Sequence, residues 1–230
     1  MRLAVIPARG GSKRIPRKNI RDFCGRPMIA WPISAALQSG AFDRVIVSTD
    51  DDQIAEVAIR EGAEVPFRRP LDLSDDHTPT RPVIAHAIET LGVAGEAPSE
   101  VCCLYATAPF VTPEDLRAGL DRLSEPGVSY VFPVTGFAFP IQRALRRDAQ
   151  GRVAMFAPEH FLTRSQDLEE AWHDAGQFYW ADADQWGTDA PIYGPGAVGL
   201  EIPRWRVQDI DTQEDWHMAE LLFRALEQKQ

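Results

Sequence analysis

Thirteen consecutive residues near the start of the chain, Pro7-Ala8-Arg9-Gly10-Gly11-Ser12-Lys13-Arg14-Ile15-Pro16-Arg17-Lys18-Asn19, combine two glycines, five cations and a hydroxyl directly behind a short apolar run. Glycines let backbone N–H groups approach an anion closely, and lysine and arginine neutralise it, so the segment is suited to cradling phosphate. It is not a Walker A loop, which needs four residues between its first Gly and its Gly-Lys pair, because Gly10-Gly11-Ser12-Lys13 is contiguous. A formal G-x-G-x-x-G occurs at Gly194-Pro195-Gly196-Ala197-Val198-Gly199, but it lies late and runs into Leu200-Glu201-Ile202-Pro203 rather than a helix, so no dinucleotide site is assigned there.

A second constellation is Gln208-Asp209-Ile210-Asp211-Thr212. Alternation along an extended segment puts both carboxylates on one side. Such a pair suits Mg²⁺, which takes one or two carboxylates and completes its shell with water and substrate phosphates. The competing reading is that both acids merely decorate the N-terminus of the last helix. Smaller clusters are Arg68-Arg69-Pro70 with Ser74-Asp75-Asp76, Tyr105-Ala106-Thr107-Ala108-Pro109, Arg164, and His173-Asp174-Ala175-Gly176-Gln177. A lone histidine such as His173 is usually structural and carries little weight unaided.

Short apolar runs alternating with segments of helical period must position these groups, the pattern of βα units on a mostly parallel sheet. Strands are expected at Leu3–Ile6, Arg44–Val47, Glu64–Phe67, Val101–Tyr105, Val128–Val134 and Gly176–Trp180. Helices are expected at Met28–Gln38, ended by Gly40; from the acids Asp50–Asp52 to Arg60, stopped by Gly62; at Val83–Leu91; from Thr112-Pro113-Glu114-Asp115; and from Thr212 to Glu227, with Glu214 and Asp215 in the first turn. In open α/β sheets ligands bind at the carboxyl ends of the strands, which is where the basic loop falls. Between Thr135 and Trp172 the pattern breaks into short pieces that do not fit the sheet, and this reads as an inserted β-rich arm.

Composition bounds the partners. The chain has 230 residues, 44% hydrophobic and 25% charged, enough for one domain with its own core. Its net charge is −10, yet residues 1–30 hold eight basic residues against Asp22 alone, a local +7 that leaves −17 for the remainder. A compact anion fits the basic patch, whereas nucleic acid or an anionic membrane would meet the acidic remainder. Three cysteines without Cys-x-x-Cys spacing offer neither a zinc site nor a disulfide framework. No signal peptide or membrane span is expected, so the sequence reads as an unprocessed cytoplasmic protein.

Pro7–Asn19, Val47-Ser48-Thr49-Asp50 with Ile54-Ala55, Arg69-Pro70, Thr107-Ala108-Pro109, Gly176 and Asp209-Ile210-Asp211-Thr212, in this order, resemble the CMP-nonulosonate synthetases, a family that includes CMP-sialate and, more distantly, CMP-KDO synthetases. Hexose-1-phosphate nucleotidylyltransferases share the fold but open with a Gly-Gly-x-Gly-Thr-Arg-Leu type loop that is missing here. Within the family, Tyr105–Phe110, Phe139–Ala144, Arg164–Asp167 and His173–Trp180 look most like the branch that activates pseudaminic acid. Sialate synthetases similar to this chain have Gln at Ala106 and Arg-Pro-Asn-Gly at His173-Asp174-Ala175-Gly176.

The resemblance implies a three-layer α/β fold, a mostly parallel twisted sheet of the nucleotide-diphospho-sugar transferase, Rossmann-like type, as a single domain over 1–230 with a dimerisation arm at 135–172. It implies that the anomeric hydroxyl of a nine-carbon 2-keto sugar acid attacks the α-phosphorus of CTP and releases pyrophosphate with Mg²⁺ as cofactor, the product feeding surface-glycan synthesis such as flagellin glycosylation. Arg9, Lys13, Lys18 and Asp211 would form the catalytic set. Ser12 would join the three cations on the triphosphate, with Ala8, Gly10, Gly11, Asn19, Ala106 and Thr107 completing the nucleotide pocket and Arg69, Asp76 and Thr80 near cytosine and ribose. Asp209 and Asp211 would hold the metal, and Gln142, Arg143, Arg164, His173 and Gln177 the sugar, with a cation on its carboxylate. The implied state is a homodimer. The anomeric hydroxyl could be activated by a metal-bound water or by Asp211. Legionaminate, sialate or KDO as the sugar, a sugar-1-phosphate nucleotidylyltransferase, and a silent nucleotide-binding module stay as alternatives.

Overall fold

Leu3, Ala4, Val5 and Ile6 are all fully buried, which requires an apolar layer on each side of the strand they form. The computed structural model describes residues 1–227. Its first half runs β1 (Arg2–Pro7), a small hairpin β2 (Asp22–Phe23) and β3 (Arg26–Pro27), α1 (Ala30–Ser39), β4 (Arg44–Ser48), α2 (Asp52–Arg60), α3 (Thr80–Val93), β5 (Glu100–Leu104) and α4 (Pro113–Leu123). The second half runs β6 (Tyr130–Gly136), β7 (Leu145–Arg147), β8 (Val153–Met155), β9 (Trp172–Asp174), β10 (Phe178–Asp182), α5 (Ala183–Trp186), β11 (Ala197–Glu201) and α6 (Gln213–Glu227).

The main sheet has the order β11-β6-β10-β5-β1-β4, with β9 also paired to β6. β1, β4, β5, β6 and β11 point one way, and β9 and β10 run against them, so the sheet is mostly parallel as expected. Alternate residues of each strand face opposite layers. Ala4, Ile6, Val45, Val47, Cys102, Leu104 and Trp180 meet Ile33 of α1, Ile54 of α2 and Leu116 of α4. Leu3, Val5, Ile46, Val101 and Cys103 meet Ile84, Ala87 and Leu91 of α3 and Trp186 of α5.

Local chemistry explains most boundaries. Gly40 closes α1 with φ 65°, a conformation that disfavours other residues. Asp51, the middle of the three acids, caps α2 by accepting from the Ile54 N–H at 3.0 Å. Thr112 and Asp115 form a reciprocal capping box at α4 with Pro113 in the first turn. The strand expected at Glu64–Phe67 is reduced to one parallel bridge between Glu64 and Ile46. Pro66 follows at once and has no N–H to give a ladder.

A third cluster ties the two ends of the chain together. Ile15, Phe23 and Met28 pack with Phe110, Ile210, and Trp216 and Ala219 of α6. The Phe23 ring meets Trp216 edge-on at 5.4 Å. The arm is equally well delimited: β6 pairs with β9 through Gly136 and Trp172, so the chain leaves and re-enters the sheet at one neck, carrying the β7–β8 hairpin between. The late G-x-G-x-x-G needs no ligand to explain it, since a Cβ on Gly196 would strike Ser129 and one on Gly199 would come within 2.7 Å of Val134. Those glycines let β11 lie against β6.

Candidate active site

The basic loop leaves β1 at its carboxyl end and is fastened by its own side chains. The Gly10 N–H donates to Asp50 at 3.0 Å. Arg17, in the left-handed conformation with φ 56°, makes a two-pronged bond to Asp51 at 2.6 and 3.0 Å and a third to Gln53 at 2.7 Å. The planar guanidinium fits a carboxylate in this way and holds it ionised, which lowers the Asp51 carboxyl. Asn19 donates to the Arg9 carbonyl at 3.0 Å. Arg17 is therefore a structural bracket, while Arg9, Lys13, Arg14 and Lys18 face the opening.

That opening is a cavity of about 280 Å³ at the carboxyl ends of β1 and β5. Of the expected residues it gathers Arg9, Ser12, Lys13, Lys18, Asn19, Arg69, Thr80, Ala106, Thr107 and Asp211. Arg69 is buried, with only 4% of its side chain exposed. Among the described residues its Nε and Nη2 have no hydrogen-bond partner, and the nearest carboxylate, Asp50, is 3.8 Å away. Burial pushes this guanidinium down and Asp50 holds it up. A buried donor facing a cavity without a partner is costly unless a ligand satisfies it.

The remaining cations rest on two carboxylates. Asp76 takes both Arg9 and Lys13, which hold its carboxyl down to about 2. Asp211 takes Arg14 at 2.9 Å and Lys18 at 3.3 Å, and the Lys18 ammonium also donates to the Ile210 carbonyl at 2.7 Å. Among the described residues Asp209 has no such pair, and its carboxyl is raised, first by desolvation and then by its neighbour Asp211. Among the described residues no group of three or more His, Cys, Asp or Glu converges on a point. Two crowded carboxylates without a third protein ligand match a metal whose other ligands are phosphate and water. Thr212 and Asp215 form the cap of α6 themselves, so neither Asp209 nor Asp211 is needed to start it.

Ala8, Gly10, Gly11 and Asp209 are not among the described residues that line the cavity, and Asp76 meets it through its cations rather than lining it. The residues expected for the sugar stand apart. Gln142 donates to the Glu169 carbonyl at 2.9 Å, Arg143 donates to the Thr163 carbonyl, and Arg164 grips Asp167 at 2.7 and 3.0 Å, all within the arm. His173 sits on β9 with Nδ1 2.9 Å from the Asp174 carbonyl. Gln177 is buried, donating to the Arg206 carbonyl at 2.6 Å. Arg14, Thr78 and Tyr105 line the cavity without having been assigned to it from the sequence. Arg14 lies inside the basic run and Tyr105 directly follows β5, so position relative to a strand end was the available signal.

A profile described as cytidylyltransferase matches residues 3–184, most of the chain. The chain belongs to the cytidylyltransferase family. This cytidylyltransferase is 44% identical over 223 residues, 97% of its length and 96% of the relative's, to the pseudaminic acid cytidylyltransferase of Campylobacter jejuni. It is 36% identical over 231 residues, 96% of this chain and 95% of the relative, to the CMP-N,N'-diacetyllegionaminic acid synthase of Legionella pneumophila. In fold it is similar to a CMP:2-keto-3-deoxy-manno-octonic acid synthetase solved with CTP, with a TM-score of 0.71 at 18% identity, covering 98% of this chain and 99% of the other.

Proposed function

We propose that this cytidylyltransferase transfers CMP from CTP to pseudaminic acid, releasing pyrophosphate. The reading rests on one observation above others: a cation-rich cavity at the strand ends, containing a buried and unpartnered Arg69, in a chain 44% identical to the Campylobacter jejuni enzyme. The anomeric oxygen forms a bond to the α-phosphorus as the bond to pyrophosphate breaks, and the hydroxyl proton leaves to a base. Phosphoryl transfer of this kind is mainly positioning and charge stabilisation.

Each role follows from placement. Arg9 and Lys13 pass from Asp76 to the triphosphate, and Arg14 and Lys18 from Asp211, so entry of the nucleotide exchanges internal ion pairs for charge-assisted bonds to phosphate. Arg69 and Thr80 meet base and ribose. Asp209 and Asp211 would hold Mg²⁺, which when bound neutralises charge on the α-phosphate and the departing pyrophosphate.

The arm is proposed to dimerise. It exposes Phe139, Phe161 and Leu162 at 83, 72 and 87%, apolar surface that a second copy would cover. That contact would bring the arm's Gln142, Arg143 and Arg164 beside a sugar site. No helix among the described residues is long and apolar enough to cross a membrane, and the CTP requirement suits the cytoplasm. Pyrophosphate release with CTP and Mg²⁺, measured against pseudaminate, legionaminate, sialate and KDO, tests the proposal. Fastest turnover is expected with pseudaminate; no release with any of them at saturating CTP overturns the enzyme reading, and a faster sister sugar overturns the substrate.

A further inference from the structure

Asp174 ends β9, and the chain turns directly behind it. Gly176 takes a φ of 62° and donates its backbone N–H to Asp174 Oδ1 at 2.7 Å. The other oxygen, Oδ2, accepts from the Tyr193 hydroxyl at 2.7 Å and from the Tyr179 hydroxyl. An ionised carboxylate only accepts, so both phenol hydrogens must point at it. Tyr193 keeps a 66% exposed ring, yet its hydroxyl is pushed up to about 12 by desolvation and the Asp174 bond.

Two routes lead from this carboxylate to the cavity. Tyr179 is buried, and its ring stands 5.6 Å from that of Tyr105, which lines the cavity and has its hydroxyl 3.3 Å from that of Thr80. The loop that carries Tyr193 is held a second time by Arg81, next to Thr80, whose guanidinium donates to the Thr188 and Ala190 carbonyls. One anchor of the 188–196 loop thus leads through Asp174 and Tyr179 to Tyr105, and the other ends at Arg81, in the first turn of α3.

Tyr105 directly follows β5, which pairs with β10, whereas Arg9, Lys13, Arg14 and Lys18 belong to the loop behind β1. If the triphosphate takes the cationic side, the acceptor must approach the α-phosphate from the other. Tyr105 offers a ring face and a hydroxyl and no charge, chemistry suited to acylamino and hydroxyl groups. A carboxylate placed directly against an anionic sugar would repel it; one acting through two phenols does not.

We propose that Asp174 is a positioning residue for the sugar-acid side of the site, fixing Tyr179 and Tyr193 so that Tyr105, packed against Tyr179, stays in register for the second substrate. The inference rests on the cytidylyltransferase reading above. Steady-state kinetics of Asp174→Asn and Tyr193→Phe, with CTP binding followed by calorimetry, test it. Asp174→Asn is expected to raise KM for the sugar acid about tenfold while the CTP constants stay within about twofold. Tyr193→Phe keeps the ring and deletes only the donor; it should raise the sugar KM about threefold. A variant that melts earlier but leaves both KM values alone, or raises both equally, overturns the assignment. If the wild-type enzyme turns over no nonulosonic acid, the functional reading fails, and tyrosine titration by ultraviolet absorbance still judges the hub. Tyr193 should then fall from about 12 toward the ordinary 10.0 in Asp174→Asn, and an unmoved titration overturns the contact.

Discussion

Lys18 reaches Asp211, 193 positions away in sequence, with its ammonium 3.3 Å from the carboxylate and 2.7 Å from the carbonyl of Ile210. The loop behind the first strand and the turn before the last helix thus form one electrostatic unit, buttressed by the packing of Phe23 against Trp216. Asp211→Asn should lower kcat by about a hundredfold or more, because it would weaken the proposed metal clamp, and leave thermal stability near wild type. Pyrophosphate release across a Mg²⁺ titration checks this, and near-normal turnover would remove Asp211 from the metal.

Arg69 separates stability from binding. Its guanidinium is buried without full compensation, so Arg69→Met should melt close to wild type in the absence of nucleotide. CTP at a hundred times its Kd adds about 2.7 kcal/mol of stability, and a tenfold affinity loss removes about 1.4 kcal/mol of that. Thermal shifts with and without CTP should show the smaller rise in the variant.

Two glycines should respond differently to the same change. A Cβ on Gly119 would lie 2.7 Å from Trp180 in the core, so Gly119→Ala should cost about 1–3 kcal/mol of stability with kinetics per folded molecule intact. A Cβ on Gly10 would lie 2.7 Å from Asp51, which Arg17 locks in place. Gly10→Ala should displace the loop and lower kcat/KM for CTP, with a smaller melting change. Denaturant unfolding alongside turnover distinguishes the two.

The carboxyl groups set the pH dependence with opposite signs. Asp76 is depressed to about 2, so its ion pairs with Arg9 and Lys13 contribute above the ordinary 3.8 and are lost only as pH falls toward about 2. Asp209 is raised, so acid protonates it early; this relieves the cost of burying its charge and the repulsion from Asp211 and favours the fold, while it would remove a proposed metal ligand. Activity should therefore fall on the acid side before stability does. Higher Mg²⁺ should shift that limb to lower pH, and Asp209→Asn should abolish the shift.

Replacing Phe161 and Leu162 of the arm by serine should convert the proposed dimer to a monomer in sedimentation with little loss of folded structure, since both side chains are exposed in the single chain. A variant that stays dimeric would place the interface elsewhere.

The sheet and its helices were legible because their signals are local: Gly40 after an apolar period, Thr112 before Pro113, and unbroken runs such as Val101–Leu104. The cation loop was legible for the same reason, and so was Asp211, the member of the Asp209–Asp211 pair that lines the cavity. Arg14 and Tyr105 as cavity walls were not, because a lining depends on which way side chains point after distant strands pair. The Asp174 hub was hidden for a stronger reason: Tyr193 lies 19 positions beyond Asp174, in the loop between α5 and β11, and no local pattern links the two. The arm's residues remain apart from the cavity within one chain.

β5 and β6 are successive strands of the main sheet in the sequence, yet they do not pair: β10 lies between them. A chain emerging from the ribosome therefore exposes the edges of two hydrophobic strands while all of residues 137–171 are still being added, and the gap closes only when Phe178–Asp182 arrives. Refolding should show its slow phase in the burial of Trp180, and chains halted before residue 178 should be the aggregation-prone species, which pulse proteolysis of arrested nascent chains would detect.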